Sequence, residues 1–352
     1  MKSYDIVEWG KPLQTVLRER PRPIGAQVLV KVEACGVCHS DVHIWEGYLD
    51  MGGGKKVSFE DVGVKLPFTL GHEIVGVVEE AGPEAAVPVG MRCVVYPWIG
   101  CGTCRHCARG NELDCAANVG LGTRKAGGYS DYVVVPHDRY VIDYGSIDPY
   151  VAATSACSGL TAYSALRKLP EYQADDTVLL IGAGGLGLAA LGLASVLTPA
   201  KILVADIDDP KLSIAAAHGA AGTINTAQQN SIGRLREMVG EGVRGVIDFV
   251  GSPETLSFAI QSVGKGGTII VVGLFGGELP LSTALLPMRN LTLRGSYVGS
   301  LQEMNALIDL LKRRNVLSVP LHKRPVGTIN EMLHDLKAGR INGRAIAVMD
   351  HA

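Results

Sequence analysis

Short apolar runs separated by turns make up most of the chain, and their arrangement changes near residue 175. Before that point the β-like runs are interrupted by Gly and Pro, and the loops between them carry most of the Cys and His residues. These runs are Val28–Val32, Ile74–Val78, Arg92–Tyr96 and Tyr132–Val135. The pattern predicts an irregular, β-rich first domain.

Beyond residue 175, apolar strands alternate with helix-like stretches such as Leu186–Leu197 and Lys211–His218. Six strands are predicted, at Thr177–Ile181, Ile202–Ala205, Thr223–Asn225, Gly245–Val250, Thr268–Val272 and Leu291–Ser296. Alternating strands and helices form a parallel sheet covered on both faces, and six strands complete a dinucleotide-binding (Rossmann) fold. The predicted fold class is therefore α/β.

The size and composition of the chain narrow its possible functions. Its 352 residues exceed the roughly 250–300 at which a single core stops growing, so two domains are expected. A net charge of −2 gives no electrostatic reason to expect nucleic acid or a membrane surface as a partner. No apolar run approaches the ~20 residues needed to span a bilayer, and the N-terminus lacks the apolar segment of a secretory signal. We therefore expect a cytoplasmic protein.

A glycine-rich turn follows the first strand of the second half. Gly182 would allow the tight turn, Gly184 the approach of a pyrophosphate, and Gly187 close packing of helix on strand. The second strand ends in Asp206, which would accept hydrogen bonds from ribose hydroxyls and repel a 2′-phosphate. NAD is therefore favoured over NADP; no arginine follows Asp206 closely, and Lys211 is the nearest cation. The alternative is an ordinary glycine-rich turn with a surface aspartate.

Four of the eight cysteines crowd into fifteen residues, at Cys101, Cys104, Cys107 and Cys115. Four thiolates satisfy tetrahedral zinc and leave no open position, so this quartet predicts a structural zinc site. Disulfides, free thiols and an iron–sulfur cluster are the alternatives.

A second set of potential metal ligands is spread along the chain. Cys38 lies in ACGVCHSDVH, His72 and Glu73 lie in LGHEIVG, and Cys157 lies in SACSGLT. Two thiolates and one imidazole would leave zinc a fourth position for a substrate oxygen. Spacing alone does not select these residues, because a buried Cys is usually a small hydrophobe and a single His is usually structural.

These motifs together resemble the zinc-containing alcohol dehydrogenases of the medium-chain dehydrogenase/reductase superfamily. GVCHSDVH is similar to the first zinc-ligand loop of that family, LPFTLGHEIVG to its His-Glu loop, and GAGGLG, VADIDDPK and GSYVGS to its coenzyme domain. The resemblance covers essentially the whole chain in the right order. GVKLPFTLGHE and VVGLFGGELP are most similar to the prokaryotic, usually tetrameric branch.

The resemblance implies a GroES-like catalytic domain formed by residues 1–158 and 300–352, and an NAD-binding Rossmann domain at residues 159–299. It also implies a homotetramer, with a dimer as the alternative, in which coenzyme domains pair through the edge strand Leu291–Ser296. The segment Asp50–Lys65 is expected to be a mobile surface loop.

Site residues also follow from the resemblance. Cys38, His72 and Cys157 would bind the catalytic zinc, with Glu73 beside them. Ser40 would pass a proton through the nicotinamide ribose to His43. His39, an arginine in many relatives, and Arg344 would face the pyrophosphate. The full set of expected cofactor contacts is His39, Thr161, Gly182, Gly184, Gly185, Leu186, Gly187, Asp206, Lys211, Val250, Val272, Gly273, Leu274, Tyr297, Val298 and Arg344.

The implied enzyme uses two zinc ions per chain and NAD(H) to interconvert alcohols and aldehydes or ketones, with hydride leaving a zinc-bound alkoxide. Trp98, Trp45, Tyr48 and Leu274 are candidates for the substrate pocket, and an apolar lining would favour medium-chain, cyclic or aryl alcohols. Each of them could equally be ordinary core. The alternatives are a polyol dehydrogenase and, further away, a zinc-free reductase or a structural protein.

Overall fold

The computed structural model describes residues 1–317 and 319–350, and its first part is rich in short strands. The elements here are β1 (Lys2–Ile6), β2 (Gln14–Leu17), β3 (Val28–Val37), α1 (His39–Glu46), β4 (Tyr48–Asp50), β5 (Lys56–Ser58), β6 (Phe68–Thr69), β7 (Glu73–Ala81), β8 (Arg92–Val95), β9 (Trp98–Ile99), β10 (Val119–Gly120), β11 (Tyr132–Val135), β12 (Val141–Asp143) and α2 (Pro149–Thr154). A π-helical turn, Ser155–Gly159, joins α2 to the next helix.

The second part alternates strands and helices as predicted. Its elements are α3 (Leu160–Arg167), β13 (Thr177–Ile181), α4 (Gly185–Leu197), β14 (Lys201–Asp206), α5 (Asp209–Ala217), β15 (Gly222–Asn225), α6 (Ser231–Val239), β16 (Val243–Asp248), α7 (Pro253–Ser262), β17 (Val263–Val271), α8 (Leu285–Arg289) and β18 (Thr292–Gly295). The chain then continues through α9 (Leu301–Arg313), β19 (Leu321–Pro325), α10 (Ile329–Lys337) and β20 (Arg344–Val348).

Strands β13 to β18 form one six-stranded sheet in the order β15-β14-β13-β16-β17-β18. Every neighbouring pair in it is parallel, which confirms the predicted dinucleotide-binding sheet. Its inner strands are buried on both faces; β13, for example, is buried along its last four residues. The carboxyl ends of all six strands therefore meet at one edge, where such sheets bind ligands.

The other large sheet combines strands from both ends of the chain. Its order is β12-β8-β7-β3-β20-β19, and β11 also pairs with β3. Strand β20 lies antiparallel to β3, with Ala347 opposite Cys35. The C-terminal segment thus completes the first domain and brings Arg344 to the loops that carry the candidate zinc ligands.

The segment Asp50–Lys65, expected to be a surface loop, includes part of a short hairpin in which β4 and β5 pair antiparallel. Its tip touches the loop after β17: a Cβ atom added at Gly52 would lie 2.5 Å from the carbonyl oxygen of Gly277. None of the described helices is both long and apolar enough to cross a lipid bilayer.

Candidate active site and metal centres

The cysteine quartet forms one compact cluster on a loop between β9 and β10. Its four Sγ atoms all lie within 4.8 Å of one another, with Cys104 and Cys107 3.5 Å apart. A disulfide requires about 2.05 Å between two sulfurs, whereas convergence of four sulfurs suits one tetrahedral ion. Cys101, Cys104 and Cys115 each accept a backbone N–H at 3.4–3.5 Å.

The electrostatics of the quartet also suit bound zinc. The backbone N–H of Thr103, followed by its hydroxyl, lowers the pKa of Cys101 to about 6. Zinc binds the thiolate form, so the chain itself prepares this ligand for the ion. The donor set fits structural zinc.

The second cluster gathers residues that are far apart in the sequence. Cys38 lies at the end of β3, His72 precedes β7, and Cys157 lies in the π-helical turn. These three and Glu73 place their ligand atoms within 4.8 Å of one another, and all four side chains are buried. Single π-helical turns within helices are frequent at functional sites, and this one brings the Cys157 sulfur to 3.9 Å from that of Cys38.

His72 is held by a carboxylate that the sequence analysis did not single out. Asp41 is fully buried and lies 3.3 Å from His72 Nδ1. It accepts hydrogen bonds from the backbone N–H groups of Cys38 and Gly71 and from the Tyr129 hydroxyl. Asp41 occupies the third position of α1, and its only sequence signal is its place three residues after Cys38 in the ligand motif. A carboxylate behind a ligating imidazole is the usual support of a metal-bound histidine.

This environment favours positive charge at the cluster. Burial works to lower the pKa of His72, but the Asp41 carboxylate and Cys38 raise it to about 10. His72 Nε2 is buried and has no hydrogen-bond partner in the described chain. A buried imidazole nitrogen without a partner beside two thiols is the donor set of a catalytic zinc site, so the residues fit the metal.

Arg344 connects the cluster to the glycine-rich turn. Its guanidinium forms a buried ion pair with Glu73, and its side-chain methylenes pack against Gly185, where an added Cβ would lie 2.3 Å from Arg344 Cδ. Sequence analysis placed Arg344 at the pyrophosphate and Glu73 at the metal. The structure joins these two residues, so that one side chain spans both sites.

The turn itself has the geometry expected of a phosphate site. Gly182 has a φ of +98°, and a Cβ at Gly187 would lie 1.8 Å from the Gly182 carbonyl oxygen, so the helix can approach the strand only with glycine there. The space over Gly184 is open, and no side chain caps the start of α4. The free N–H groups at the start of this helix can bind a diphosphate, and NAD contains such a group.

Asp206 ends β14 with its carboxylate held in place. One oxygen accepts the N–H of Ala183 at 2.6 Å and the other that of Asp208 at 3.1 Å. At the start of α1, loss of hydration lowers the pKa of His39; the charge of Cys38 raises it, and the charges of Arg344, His43 and Lys211 lower it further. Basic side chains thus converge on the turn.

The other expected coenzyme contacts follow the carboxyl ends of the parallel strands. Val250, Val272, Gly273 and Leu274 come directly after β16 and β17, Tyr297 and Val298 after β18, Leu186 lies in the first turn of α4, and Thr161 in that of α3. Asp248, which was not among the residues expected from the sequence, orders this loop: its carboxylate accepts the N–H groups of Val250 and Gly251.

Of the residues predicted to line the substrate pocket, Trp98 is the one that contacts a metal ligand. Trp98 lies against the metal cluster, with its ring 5.5 Å from that of His72, and its N–H donates to the carbonyl of Ala156. Tyr297 packs edge-on against Trp98 at 5.8 Å. Leu274 is 46% exposed in the loop that touches the β4–β5 hairpin.

Trp45 and Tyr48, also predicted for the pocket, make their ring contacts with other residues than Trp98 and His72. The buried Trp45 ring packs against His334 at 4.9 Å, and its N–H donates to the carbonyl of Lys11. The Tyr48 ring is covered by the Lys56 ammonium at 3.7 Å. The assignment of these two residues to the substrate pocket stays a prediction.

Comparison with known proteins agrees with this site. Residues 25–144 match the alcohol dehydrogenase GroES-like domain and residues 185–313 the zinc-binding dehydrogenase domain. The chain is 36% identical to an NAD-dependent alcohol dehydrogenase of Sulfurisphaera tokodaii, over 99% of this chain and 100% of that one. The chain belongs to the zinc-type, medium-chain alcohol dehydrogenases.

Two further relatives support this membership. An alcohol dehydrogenase of Geobacillus stearothermophilus is 33% identical over 98% of each chain. The crystal structure of the alcohol dehydrogenase from Aeropyrum pernix superimposes with a TM-score of 0.88 at 30% identity, covering 99% of this chain and 100% of that one. The cofactors expected from the sequence, zinc and NAD, are those of this family.

Proposed function

We propose that this enzyme is a zinc-dependent, NAD-linked alcohol dehydrogenase that interconverts primary or secondary alcohols and the corresponding aldehydes or ketones. One observation carries the proposal: the buried Cys38–His72–Cys157 cluster adjoins the glycine-rich turn, and Arg344 contacts both. Because the metal cluster and the coenzyme site adjoin, a substrate between them could bind the metal and exchange a hydride with the coenzyme.

The chain's residues have distinct tasks in this reaction. Zinc at the cluster would supply Lewis-acid polarisation of the substrate oxygen, and NAD(H) would accept or give the hydride. Asp41 orients His72 and balances positive charge at the cluster. Arg344 balances the charge of Glu73 by pairing with it; with Cys38, His72 and Cys157 as the three ligands, zinc would have its fourth position open to a substrate oxygen.

A proton must leave the alcohol during oxidation, and α1 offers a route for it. Ser40 Oγ lies 3.9 Å from the Cys38 sulfur, close enough to the cluster to bond to a substrate oxygen there. His43 lies one turn further along the same helix, is partly exposed and is the proposed outer proton acceptor.

The coenzyme preference rests on Asp206. Its carboxylate is fixed by two backbone N–H groups at the end of β14, where the adenosine ribose of a bound dinucleotide lies in this fold. A second negative charge on a 2′-phosphate would be repelled, and Lys211 on α5 is positioned by sequence to bond to the ribose. We therefore propose NAD rather than NADP.

The experiment that tests this function combines metal analysis with a substrate panel. The purified enzyme should contain about two zinc ions per chain, and NAD reduction should be followed with benzyl alcohol, cyclohexanol, 1-hexanol and sorbitol. We expect turnover of the first three with NAD and a much lower kcat/KM with NADP. Zinc absent from the cluster, or turnover of sorbitol alone, would contradict the proposal.

Assembly of coenzyme domains through β18 is a further part of the proposal. All four residues of this edge strand are exposed, and Met288 beside it is 76% exposed. An edge with free backbone groups and apolar side chains is suited to pairing with a second copy. We propose a homotetramer built from such pairs; light scattering that gives a monomer mass would exclude it.

A further inference from the structure

An aromatic wall leads from the metal cluster to solvent. Trp98 is buried against His72, whereas Tyr297, packed on its outer side, is 55% exposed. The two rings come from different domains, Trp98 from β9 and Tyr297 from the segment after β18. A substrate whose carbinol lies at the cluster would extend outward along these rings.

A tight turn places Arg124 beside this wall. Its backbone N–H donates to Gly120, and Gly120 is paired with Trp98 across β10 and β9. The turn is pressed on the metal-ligand loop, since a Cβ at Gly122 would lie 2.8 Å from the backbone nitrogen of His72. The position of Arg124 is therefore fixed relative to the site.

The guanidinium of Arg124 remains available for a ligand. It donates to the carbonyl of Asn118 at 3.3 Å, and it forms no ion pair with a carboxylate of the described chain. The residue is exposed, and a guanidinium has five N–H donors, so most of them are free.

The charge of Arg124 also acts on Tyr297. Tyr297 is partly exposed, but loss of hydration on its packed side raises its pKa to about 12; the nearby thiols Cys157 and Cys38 raise it as well, and Arg124 lowers it. Since the turn that carries Arg124 is paired with the Trp98 strand and packed on the His72 loop, the guanidinium is on the part of the molecule that borders both rings.

We propose that Arg124 is a specificity-determining residue that selects alcohols and carbonyl compounds with an apolar or aryl body and a carboxylate at the end remote from the reacting carbon. This inference rests on the proposed function. The body lies on Trp98 and Tyr297, and the carboxylate pairs with the planar guanidinium, whose donors match two carboxylate oxygens.

The test compares substrates that differ only in charge. The kcat/KM for 3- and 4-(hydroxymethyl)benzoate is measured with NAD beside that for the matching carboxamides, which have nearly the same shape and no charge. The wild-type enzyme should favour at least one carboxylate over its carboxamide. The ratio of the two should fall about tenfold in Arg124→Gln, the scale of lost hydrogen bonds to a charged group, chiefly through KM. In Arg124→Lys, which keeps the positive charge but lacks the planar pair of N–H donors, this ratio should fall less.

Lys125→Gln is the matched control, because Lys125 is the neighbouring exposed cation on the same turn and its loss changes net charge equally. We expect the substrate ratio to stay within about twofold in this variant, because its charge is not part of the proposed contact. Equal losses for carboxylate and carboxamide in Arg124→Gln would overturn the proposal in favour of a structural role. So would equal effects of the two variants, or a wild-type enzyme that favours neither carboxylate.

Benzyl alcohol separates failure of this inference from failure of the proposed function. Turnover of benzyl alcohol without discrimination between the charged and neutral pairs overturns only the role of Arg124. An enzyme that loads zinc and NAD but oxidises none of these alcohols overturns both.

Discussion

The two metal clusters contain four potential ligands each within the same 4.8 Å, yet their surroundings differ. The quartet takes its ligands from fifteen consecutive residues, and its sulfurs are supported by local backbone N–H groups. Cys101 is exposed. The second cluster takes its ligands from three distant segments, is fully buried, and is supported by the charged side chains of Asp41 and Arg344.

This difference separates a structural from a catalytic role. In the quartet all four donors are thiols, so a bound ion is saturated and can only hold the loop together. In the second cluster the fourth candidate, Glu73, is already paired with Arg344. With Cys38, His72 and Cys157 as its ligands, zinc there would keep one coordination position open for a substrate oxygen.

The largest expected effect is on the buried cluster. Cys38→Ala should remove the catalytic ion and lower kcat by about a thousandfold or more, since polarisation by a metal is worth several kcal/mol and each 1.36 kcal/mol is about tenfold. Zinc content should fall from about two ions per chain to about one. NADH binding, followed by fluorescence titration, should persist because the glycine-rich turn is untouched.

Cys93→Ala is the matched control for that substitution. Cys93 is also a fully buried free cysteine, but it lies in β8 away from both clusters, and burial raises the pKa of its thiol to about 12. It should keep both ions and most of its activity while losing some stability through a small cavity. Similar kinetics for the two variants would contradict the assignment of Cys38.

The same comparison explains what the sequence could predict. The quartet was recognisable from spacing because all its ligands lie on one short loop. The six-stranded sheet was recognisable because its strands are short apolar runs between helices. The glycine-rich turn was recognisable because strand, turn and helix are consecutive.

The ligands of the buried cluster could not be predicted from local spacing. Cys38 and Cys157 are 119 residues apart, and nothing in local spacing selects them over Cys35 or Cys93, so only the resemblance singled them out. Asp41 was missed because it acts through contacts with distant segments, at Gly71, His72 and Tyr129.

A smaller effect is expected at the quartet. Cys104→Ser should remove the structural ion and loosen the loop between β9 and β10, which lowers the melting temperature. A loss of a few kcal/mol corresponds to about 5–15 °C, at roughly 2–4 °C per kcal/mol for a domain of this size. Thermal unfolding followed by circular dichroism measures this shift.

Below the new melting temperature, the kcat of Cys104→Ser should stay within about threefold of the wild type, because the buried cluster keeps its own ligands and supports. A matched serine substitution at Cys93 controls for loss of a thiol. If Cys104→Ser abolished turnover in protein that remains folded and retains the other ion, the division into structural and catalytic sites would be wrong.

The smallest effect concerns the support of His72. Asp41→Asn removes the charge behind the imidazole and puts an amide N–H₂ among donors that need an acceptor. Support of this kind is typically worth about 10–100-fold in metal affinity, so zinc at the buried cluster should be lost to a chelator at correspondingly lower concentration. Tyr129→Phe removes only the 3.0 Å hydroxyl donor and keeps the carboxylate, so its affinity should fall much less. The quartet should hold its ion equally in both variants, because none of its ligands contacts Asp41. Equal zinc affinity in Asp41→Asn and the wild type would mean that His72 is positioned by packing alone. The buried cluster would then not depend on charged side chains, and its proposed difference from the quartet, which backbone N–H groups support, would be wrong.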